Sequence, residues 1–483
     1  MKPEEPGIRP VFQRQERSVA AHSAQLKREL GLPNLVFTQI LFVMGLTWVG
    51  AAAKLGPSHT AFWLLAVVLF YIPSAIVVVH LSRKMPLEGG LYQWAKIGFS
   101  ERIGFLVAWN LWIYAMILTS EIGLMAATGV AYATGVPWIA ESKWFIALAS
   151  VAIISGLAWL STVGLGAGKW LHGAGGLTMV VVLTAMIALP AVYWMRGEKP
   201  VSPPFALAVP AITLLNLNIL GKLGFGALGG FEYVAIFAGE CRDPARTIGR
   251  SVIIAAPIIA ILFILGTASV LWFVPPDRID LISPVSQVLA IGAGPLGIGA
   301  RIASVVILLV LGMRVAQTSV NFSATARLPM VAGWDHLLPK WFTKLHPTYK
   351  TPAHSIFFVG AMTLAFCFSG MIGVGSQEAM QLFNNSAGIY YAIAYLALFA
   401  LPIFVKSGGA AGGAASMGVK IASASGLLMT LLYIVLSIFP IIEVASRAAF
   451  TAKISSVVIA GNLIGISIYA IAERRRQALM RAG

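Results

Sequence analysis

Residues 221–232 (GKLGFGALGGFE) combine backbone flexibility with charge inside an apolar segment. Five glycines fall within ten residues, and Lys222 and Glu232 lie near the two ends. Each glycine costs about 1 kcal/mol relative to alanine in a helix interior, so this density predicts a break in the helix. The backbone groups exposed at a break, with the dipoles of the two half-helices, suit the carboxylate and ammonium groups of a small zwitterion. Close packing through small residues is the alternative, but the glycines are too dense to lie on one face.

A weaker version of this pattern occurs at residues 43–50 (VMGLTWVG). Two glycines and a threonine are ordinary content of a membrane helix when taken alone. Two interrupted helices, one in each of two units of five predicted spans (residues 35–195 and 212–405), are what an inverted-repeat transporter predicts, so each break supports the other. The predicted substrate-binding residues are Met44, Gly45, Thr47, Trp48, Phe225, Gly226, Gly229 and Gly230.

Four ionisable side chains lie in apolar segments, where burying a charge costs at least about 2.5 kcal/mol. Glu232 either contacts a coupling ion or fastens the broken segment to a neighbouring helix. Lys222 either binds an acidic group of a solute or, in the reading we favour, extends its ammonium group to the membrane interface. Arg314 is expected to pair with Glu121, as a structural or as a substrate-sensing ion pair.

The composition indicates that the lipid bilayer is the solvent of this chain. Apolar residues make up 58% of its 483 positions, whereas Asp, Glu, Lys and Arg together contribute 11%. About twenty apolar residues cross a hydrocarbon core, so we predict an all-α integral membrane protein of about twelve transmembrane helices. The predicted spans one to twelve are residues 35–54, 60–81, 105–133, 145–165, 177–195, 212–238, 251–273, 299–324, 355–371, 379–405, 419–442 and 454–471.

The basic residues are concentrated on alternate loops and at the two ends of the chain, which together give a net charge of +16. By the positive-inside rule, both termini are cytoplasmic and the number of spans is even. We therefore expect a multi-pass protein of the inner (plasma) membrane, with its positive charge facing the cytoplasm and no nucleic-acid partner. The expected organisation is a cytoplasmic tail (1–30), a membrane domain (31–473) and a basic cytoplasmic tail (474–483). The two cysteines, Cys241 and Cys367, support neither a disulfide framework nor a metal site.

Three stretches resemble the amino acid–polyamine–organocation (APC) superfamily of permeases. Residues 86–94 (PLEGGLYQW) are similar to its proline, double-glycine and tyrosine pattern. Residues 230–250 contain GFE, AGE and a DPxRTIxR run, as the family does through and after its sixth helix. Residues 327–352 contain Arg327, DHLLP, HP and TP in the family's order. The resemblance covers essentially the whole chain, and it implies a LeuT-like fold of five plus five inverted-repeat helices with two further C-terminal helices.

The chain departs from the family pattern at several positions. The family's first helix usually carries a glycine-serine-glycine-isoleucine signature, which this chain lacks. A bulky aromatic gate often stands at the position aligned with Gly226, so that either Phe225 or Trp48 takes the gate here. The helix-five lysine of some proton-coupled members aligns with Thr178, and that lysine mechanism is not supported.

The resemblance also bears on ion coupling. LeuT-like sodium-coupled carriers use adjacent hydroxyls on helix eight, where this chain has Thr318 and Ser319, and hydroxyl oxygens suit a hard cation. Bonding of these hydroxyls to their own helix carbonyls is the alternative. The family carries glutamate at the position of Glu232 for diverse substrates, which favours the structural role. Asn384 and Asn385 either line the permeation path or join helices.

Together these features predict a secondary active transporter that moves amino acids by alternating access, coupled to an ion gradient or to exchange. A polyamine or cationic solute carrier is the alternative, with Glu121 and Glu232 supplying negative charge. A sensor or a channel is the alternative from another class, although a channel would need a continuous polar pore. We expect no enzymatic activity and no cofactor apart from Na+ or H+ as a coupling ion, and homodimerisation is left open.

Overall fold

The computed structural model describes residues 17–18, 21, 28, 30–205, 211–281, 283–293, 299–334, 336–370, 376–404, 415–441, 444 and 446–482. Asp335 and most of the expected N-terminal tail lie outside these ranges. Ten helices of the described chain are long and apolar enough to cross a membrane, and a bent pair and a shorter apolar helix complete the set. These twelve segments coincide with the twelve predicted spans, so the all-α membrane fold is confirmed.

Most boundaries agree with the prediction to within a few residues. Span one consists of two helices and span six of three, and the other spans are continuous or nearly so. In chain order the spans are Leu32–Val43 with Leu46–Ala53, Gly56–Lys84, Glu101–Thr134, Lys143–Val163, Leu165–Met195, Leu214–Gly221 with Lys222–Ala227 and Phe231–Glu240, Pro244–Phe273, Gly299–Thr325, Ala353–Gly370, Ser376–Phe404, Met417–Ser437 and Arg447–Ala482.

Hydroxyl side chains cap the first turns of several spans. Ser100 accepts a hydrogen bond from the backbone N–H of Ile103 at 3.3 Å, and Ser142 does the same for Phe145 at 3.3 Å. Each cap satisfies one of the N–H groups that a helix start leaves without an intrahelical partner. The polar loop residues therefore determine where spans three and four begin.

The packing of the spans repeats after five positions. Span one packs against span seven, and span six correspondingly packs against span two. Span three packs against span ten, and span eight correspondingly packs against span five. Exchanging each span with the one five positions along therefore preserves these contacts, as expected for two equivalent five-helix units.

The spans differ in how far they are enclosed. In the most apolar stretch of span six, 94% of the residues are buried, compared with 17% in span twelve. Large side chains such as Trp144, Trp159 and Trp194 are exposed on the outside of the bundle. A surface of this kind requires lipid as its solvent, whereas the interrupted span six lies where protein surrounds it.

Span twelve continues through the region expected to be a C-terminal tail. Its helix ends at Ala482, and Arg476 forms an ion pair with Glu101 at the start of span three, with Nη2 and Oε2 2.6 Å apart. Further along, Trp109 donates its indole N–H to the carbonyl of Gly461 at 2.9 Å. These contacts join the twelfth helix to the five-plus-five core through span three.

Candidate functional site

Span one is bent by 43° at Met44 and Gly45. Gln317 of span eight donates from Nε2 to the carbonyl oxygens of Phe42 (3.2 Å) and Met44 (3.3 Å). These carbonyls lie at the end of the first half-helix, where intrahelical partners are missing. A side chain from another span therefore stabilises the break, and the predicted interruption of span one is present.

Span six is interrupted within its glycine run. A π-helical turn over Lys222–Ala227 is followed by a non-helical stretch and then by a 3-10 helix from Phe231. Gly230 has φ of +134°, a conformation that strongly favours glycine. Its N–H donates to the hydroxyl of Tyr395 at 2.8 Å, while Gln39 of span one donates to the carbonyl of Phe231 at 3.1 Å. The break that the glycines predict is therefore present and is supported by two other spans.

Glu232 lies immediately after this break and is fully enclosed. Its carboxylate accepts hydrogen bonds from the hydroxyls of Tyr391, at 2.5 Å, and Tyr395, both on span ten. It does not belong to the described wall of the central cavity. This arrangement fastens span six to span ten, which is the structural one of the two roles considered for this residue.

A central cavity lies between the two breaks, with a volume of about 110 Å³ measured as the space open to the centre of a water molecule. About 10–15 Å³ of such space holds one water, so the cavity has room for a small organic solute. Six of the eight predicted substrate-binding residues line it: Gly45, Thr47, Trp48, Phe225, Gly226 and Gly229. Met44 and Gly230 do not belong to the described wall and act through their backbone, as acceptor from Gln317 and donor to Tyr395.

The indole of Trp48 occupies the space beside Gly226. A Cβ atom on Gly226 would lie 2.9 Å from Cη2 of Trp48. Phe225 is fully buried instead and packs against Tyr433, with ring centroids 4.7 Å apart. Of the two aromatic residues proposed for the gate position, Trp48 is therefore the one whose ring lies against Gly226 in the cavity.

Several tyrosines of the cavity wall were not foreseen from the sequence. Tyr114 of span three stacks on Tyr391 of span ten, with ring centroids 4.2 Å apart and planes at 6°. Tyr433 of span eleven also lines the cavity. The sequence offered a signal only for Tyr391, which lies one helical turn from Tyr395, so that both share one face of span ten.

Glu121 and Arg314 both line the central cavity and interact electrostatically. No direct ion pair between them is found among the described residues. Arg314 instead donates from Nη1 to Oε1 of Gln317 at 3.1 Å, and Oε2 of Glu121 has no hydrogen-bond partner among the described residues. The cavity wall therefore carries the carboxylate of Glu121 and the guanidinium of Arg314, which form no direct ion pair within the described chain.

The two hydroxyls considered for ion coupling lie in different surroundings. Thr318 lines the cavity and donates to the carbonyl of Arg314 at 2.9 Å, one turn earlier in its own helix. Ser319 is buried against span five, where its Oγ lies 3.1 Å from Nε2 of His172. Only Thr318 therefore faces the space between the two breaks.

Lys222 does not reach the membrane interface, so the reading favoured from the sequence is wrong. Its side chain is 3% exposed, and Nζ donates to Oδ1 of Asn385 on span ten at 2.7 Å. A long flexible stem permits either arrangement. The side chain of Lys222 lies in the interior because the amide oxygen of Asn385, on the neighbouring span ten, accepts its hydrogen bond.

The motifs that carry the family resemblance meet at one end of the bundle, here called the Arg327 end. Arg327 forms a buried ion pair with Glu240, and the N–H of Gly239 donates to Oε2 of Glu88 at 2.5 Å. Gly90, with φ of +46°, brings this loop against span six, where a Cβ would lie 3.0 Å from the Ala235 carbonyl carbon. Burial and the nearby charge of Glu240 raise the pKa of Glu88 to about 8, although Arg327 opposes this shift. The motifs therefore connect spans six and eight to the loop before span three.

A helical bundle of this kind, with two interrupted helices around a central cavity, has the architecture of a secondary transporter. The family model described as amino acid permease matches residues 30–462, and the chain belongs to this family. It is a multi-pass membrane protein and a transporter.

Curated relatives cover much of the chain at low identity. An uncharacterized transporter of Legionella pneumophila is 22% identical over 382 residues, covering 79% of this chain and 82% of the relative. The branched-chain amino acid permease of Bacillus subtilis is 25% identical over 371 residues, covering 71% and 76%. A probable agmatine/putrescine antiporter of Lactococcus lactis is 24% identical over 259 residues, covering 51% and 53%.

Proposed function

We propose that this protein is a secondary active transporter that moves amino acids across the cytoplasmic membrane by alternating access. The cavity between the two helix breaks carries the proposal, because both interrupted spans contribute to its wall. The helix Leu46–Ala53 begins at this cavity, and its positive dipole end suits a carboxylate. The turn that ends at Ala227 presents its negative end, which suits an ammonium group.

The direction of insertion follows from the loop charges. The Arg327 end carries the basic loops that follow spans two, six and eight, and we propose that it faces the cytoplasm. The opposite end, here called the Lys54 end after the exposed lysine at the close of span one, then faces outwards.

A polyamine carrier fits the charges of the cavity less well. That alternative relied on Glu121 and Glu232 for negative charge, but Glu232 is engaged by two tyrosines away from the described wall. Arg314 is present on the same wall as Glu121. A polycation would therefore meet one accessible carboxylate beside a fixed positive charge. The names of the relatives include both amino acid and agmatine/putrescine carriers, so both classes belong in the test.

Ion coupling through sodium, protons or a counter-solute completes the proposal. Thr318 offers the lone pairs of its hydroxyl oxygen to the cavity, because its proton is donated to the carbonyl of Arg314. Sodium could use this oxygen together with backbone carbonyls of the span-one break. Recruitment of Ser319 would require its hydroxyl to turn away from His172.

The test is uptake of labelled amino acids and putrescine into proteoliposomes that contain the purified full-length chain. We expect concentrative uptake of at least one amino acid, driven by a sodium gradient, a proton gradient or a preloaded solute. Trp48→Ala should abolish this uptake. Trp159→Ala provides a matched control, because that tryptophan is 69% exposed on the outside of the bundle.

Other outcomes would point elsewhere. Uptake of putrescine without any amino acid would replace the substrate class. Flux that only dissipates a gradient, without counterflow, would indicate a channel. Absence of all flux, with solute binding retained, would favour a sensor.

A further inference from the structure

A second cavity lies beside the central one, towards the Lys54 end. Its volume is about 60 Å³ on the same measure, and Thr47, Trp48 and Asn384 belong to both walls. The half-buried indole of Trp48 therefore lies between the two cavities.

The second cavity contains a buried amine. Lys222 lines it, and no Asp or Glu is present among the described residues of its wall. Its ammonium group contacts Oδ1 of Asn385, and the ring centre of Tyr433 lies 5.9 Å from Nζ. An ammonium group has three N–H donors, and only the bond to Asn385 is found within the described chain. A charged ammonium group in an apolar surrounding is costly, so an anionic ligand bound beside Lys222 would stabilise its charged form.

Asn385 gives an independent indication of the same ligand. Its side chain is 2% exposed, and its Nδ2 has no hydrogen-bond partner among the described residues. Because Oδ1 already accepts from Lys222, the free part of this amide is a donor. A buried donor without an acceptor costs about 1–3 kcal/mol. The cavity thus presents N–H groups of Lys222 beyond its bond to Asn385, together with the Nδ2 group of Asn385, for which no acceptor is found among the described residues.

We propose that this cavity is a carboxylate subsite, in which Lys222 and Asn385 bind an acidic group of the transported solute. The inference rests on the proposed function and narrows it, because it assigns the transporter a preference for amino acids with an acidic side chain. The charges of the two walls agree with this preference. Arg314 and Glu121 offset each other in the central cavity, and Lys222 leaves one positive charge that an additional carboxylate neutralises.

The test compares L-glutamate with L-glutamine, which have nearly the same shape and differ in one charge. Calorimetric titration of the purified full-length protein, in buffer low in chloride, should show at least tenfold tighter binding of glutamate. Lys222→Gln should weaken glutamate at least tenfold and change glutamine less than twofold. Lys54→Gln, the exposed lysine of the same end, should leave both affinities unchanged.

A second variant distinguishes a loss of the subsite from misfolding of Lys222→Gln. Asn385→Asp places a carboxylate beside Lys222 and neutralises it within the fold. We expect it to retain the thermal stability of the wild type and glutamine binding, and to lose glutamate binding at least tenfold. Equal weakening of both ligands in both variants would overturn the carboxylate subsite.

Two further results would also overturn it. One is wild-type protein that binds glutamate no tighter than glutamine, or does not bind it at all. The other is chloride binding that depends on Lys222 while the glutamate-to-glutamine ratio does not, which would assign the cavity to a free inorganic anion. Failure of the proposed function has a different signature, namely no amino acid flux in proteoliposomes while the Lys222-dependent preference for glutamate persists in titrations.

Discussion

Removal of Arg327 is expected to destabilise the Arg327 end of the bundle. Its guanidinium forms the buried ion pair with Glu240, donates to the carbonyl of Ser323 at 2.5 Å, and lies 5.2 Å from the ring centre of Phe237. Arg327→Ala leaves Glu240 buried beside Glu88 without a cation. Removal of one partner of a buried ion pair lowers the free energy of unfolding by about 3–5 kcal/mol, because the other charge stays buried without a partner.

The size of the effect on the melting temperature follows from the length of the chain. An unfolding entropy of about 2.1 cal/mol/K per residue over 483 residues corresponds to about 1 °C per kcal/mol. The helices of a membrane protein persist on unfolding, so its entropy change is smaller and the shift per kcal/mol is larger. We therefore expect the melting temperature of Arg327→Ala to fall by at least about 3 °C.

The assay follows unfolding through the reaction of a buried cysteine with a thiol-reactive fluorescent maleimide, and the chain has two buried cysteines, Cys241 and Cys367. Burial raises the pKa of the Cys241 thiol, which keeps it protonated and unreactive in the folded protein. Because Cys241 lies close to the altered cluster, the comparison is made in a Cys241→Ala background. Only Cys367 of span nine then reports, and local opening at the cluster does not register as unfolding.

Two further variants make the result specific. Arg246→Ala removes an exposed arginine of the neighbouring helix start and should leave the melting temperature unchanged. Adding Glu240→Gln to Arg327→Ala should recover part of the loss, because the uncompensated carboxylate is then absent. A melting temperature of Arg327→Ala within 1 °C of Arg246→Ala would refute the reasoning.

Three other predictions concern the cavity and the loop before span three. Gly226→Ala places a Cβ 2.9 Å from the Trp48 ring, so we expect about tenfold weaker solute binding by titration; unchanged affinity would show that the ring does not define the site. Tyr395→Phe removes a donor to Glu232 and should cost about 2–4 kcal/mol, seen as a lower melting temperature, whereas an unchanged value would contradict the fastening role. Glu88 has its pKa raised to about 8, so the folded state binds the proton more tightly than the unfolded state and stability falls as pH rises from about 4.5 to 8. Glu88→Gln should remove this component of the pH profile, and identical profiles for wild type and variant would count against it.

The sequence carried much of the architecture because membrane spans follow from local composition. A helix must cross about 30 Å of hydrocarbon with its own hydrogen bonds satisfied, so apolar length alone locates it. The break in span six could be predicted for a similarly local reason, since dense glycines weaken any helix. The shallower break in span one needed the comparison between the two units, because residues 43–50 alone are ordinary helix content.

Side-chain positions depended on contacts between distant parts of the chain. Lys222 turns inwards because Asn385, 163 residues later, offers an acceptor. The same flexible side chain would reach the interface if that acceptor were absent. Sequence alone likewise left two aromatic residues open for the gate, and the bend at Gly45 places the ring of Trp48 rather than that of Phe225 beside Gly226.

The sequence by itself thus determined the solvent, the number of spans, the family resemblance and the two points where helices break. The tertiary structure decided which polar groups face the cavity, that Glu232 is held by tyrosines, and that Lys222 donates to Asn385 in the interior. Hydrophobic length and helix propensity depend on neighbouring residues, so they can be predicted from the sequence alone. Hydrogen-bond partners and counter-charges are set by helices that meet only after the two units pack together.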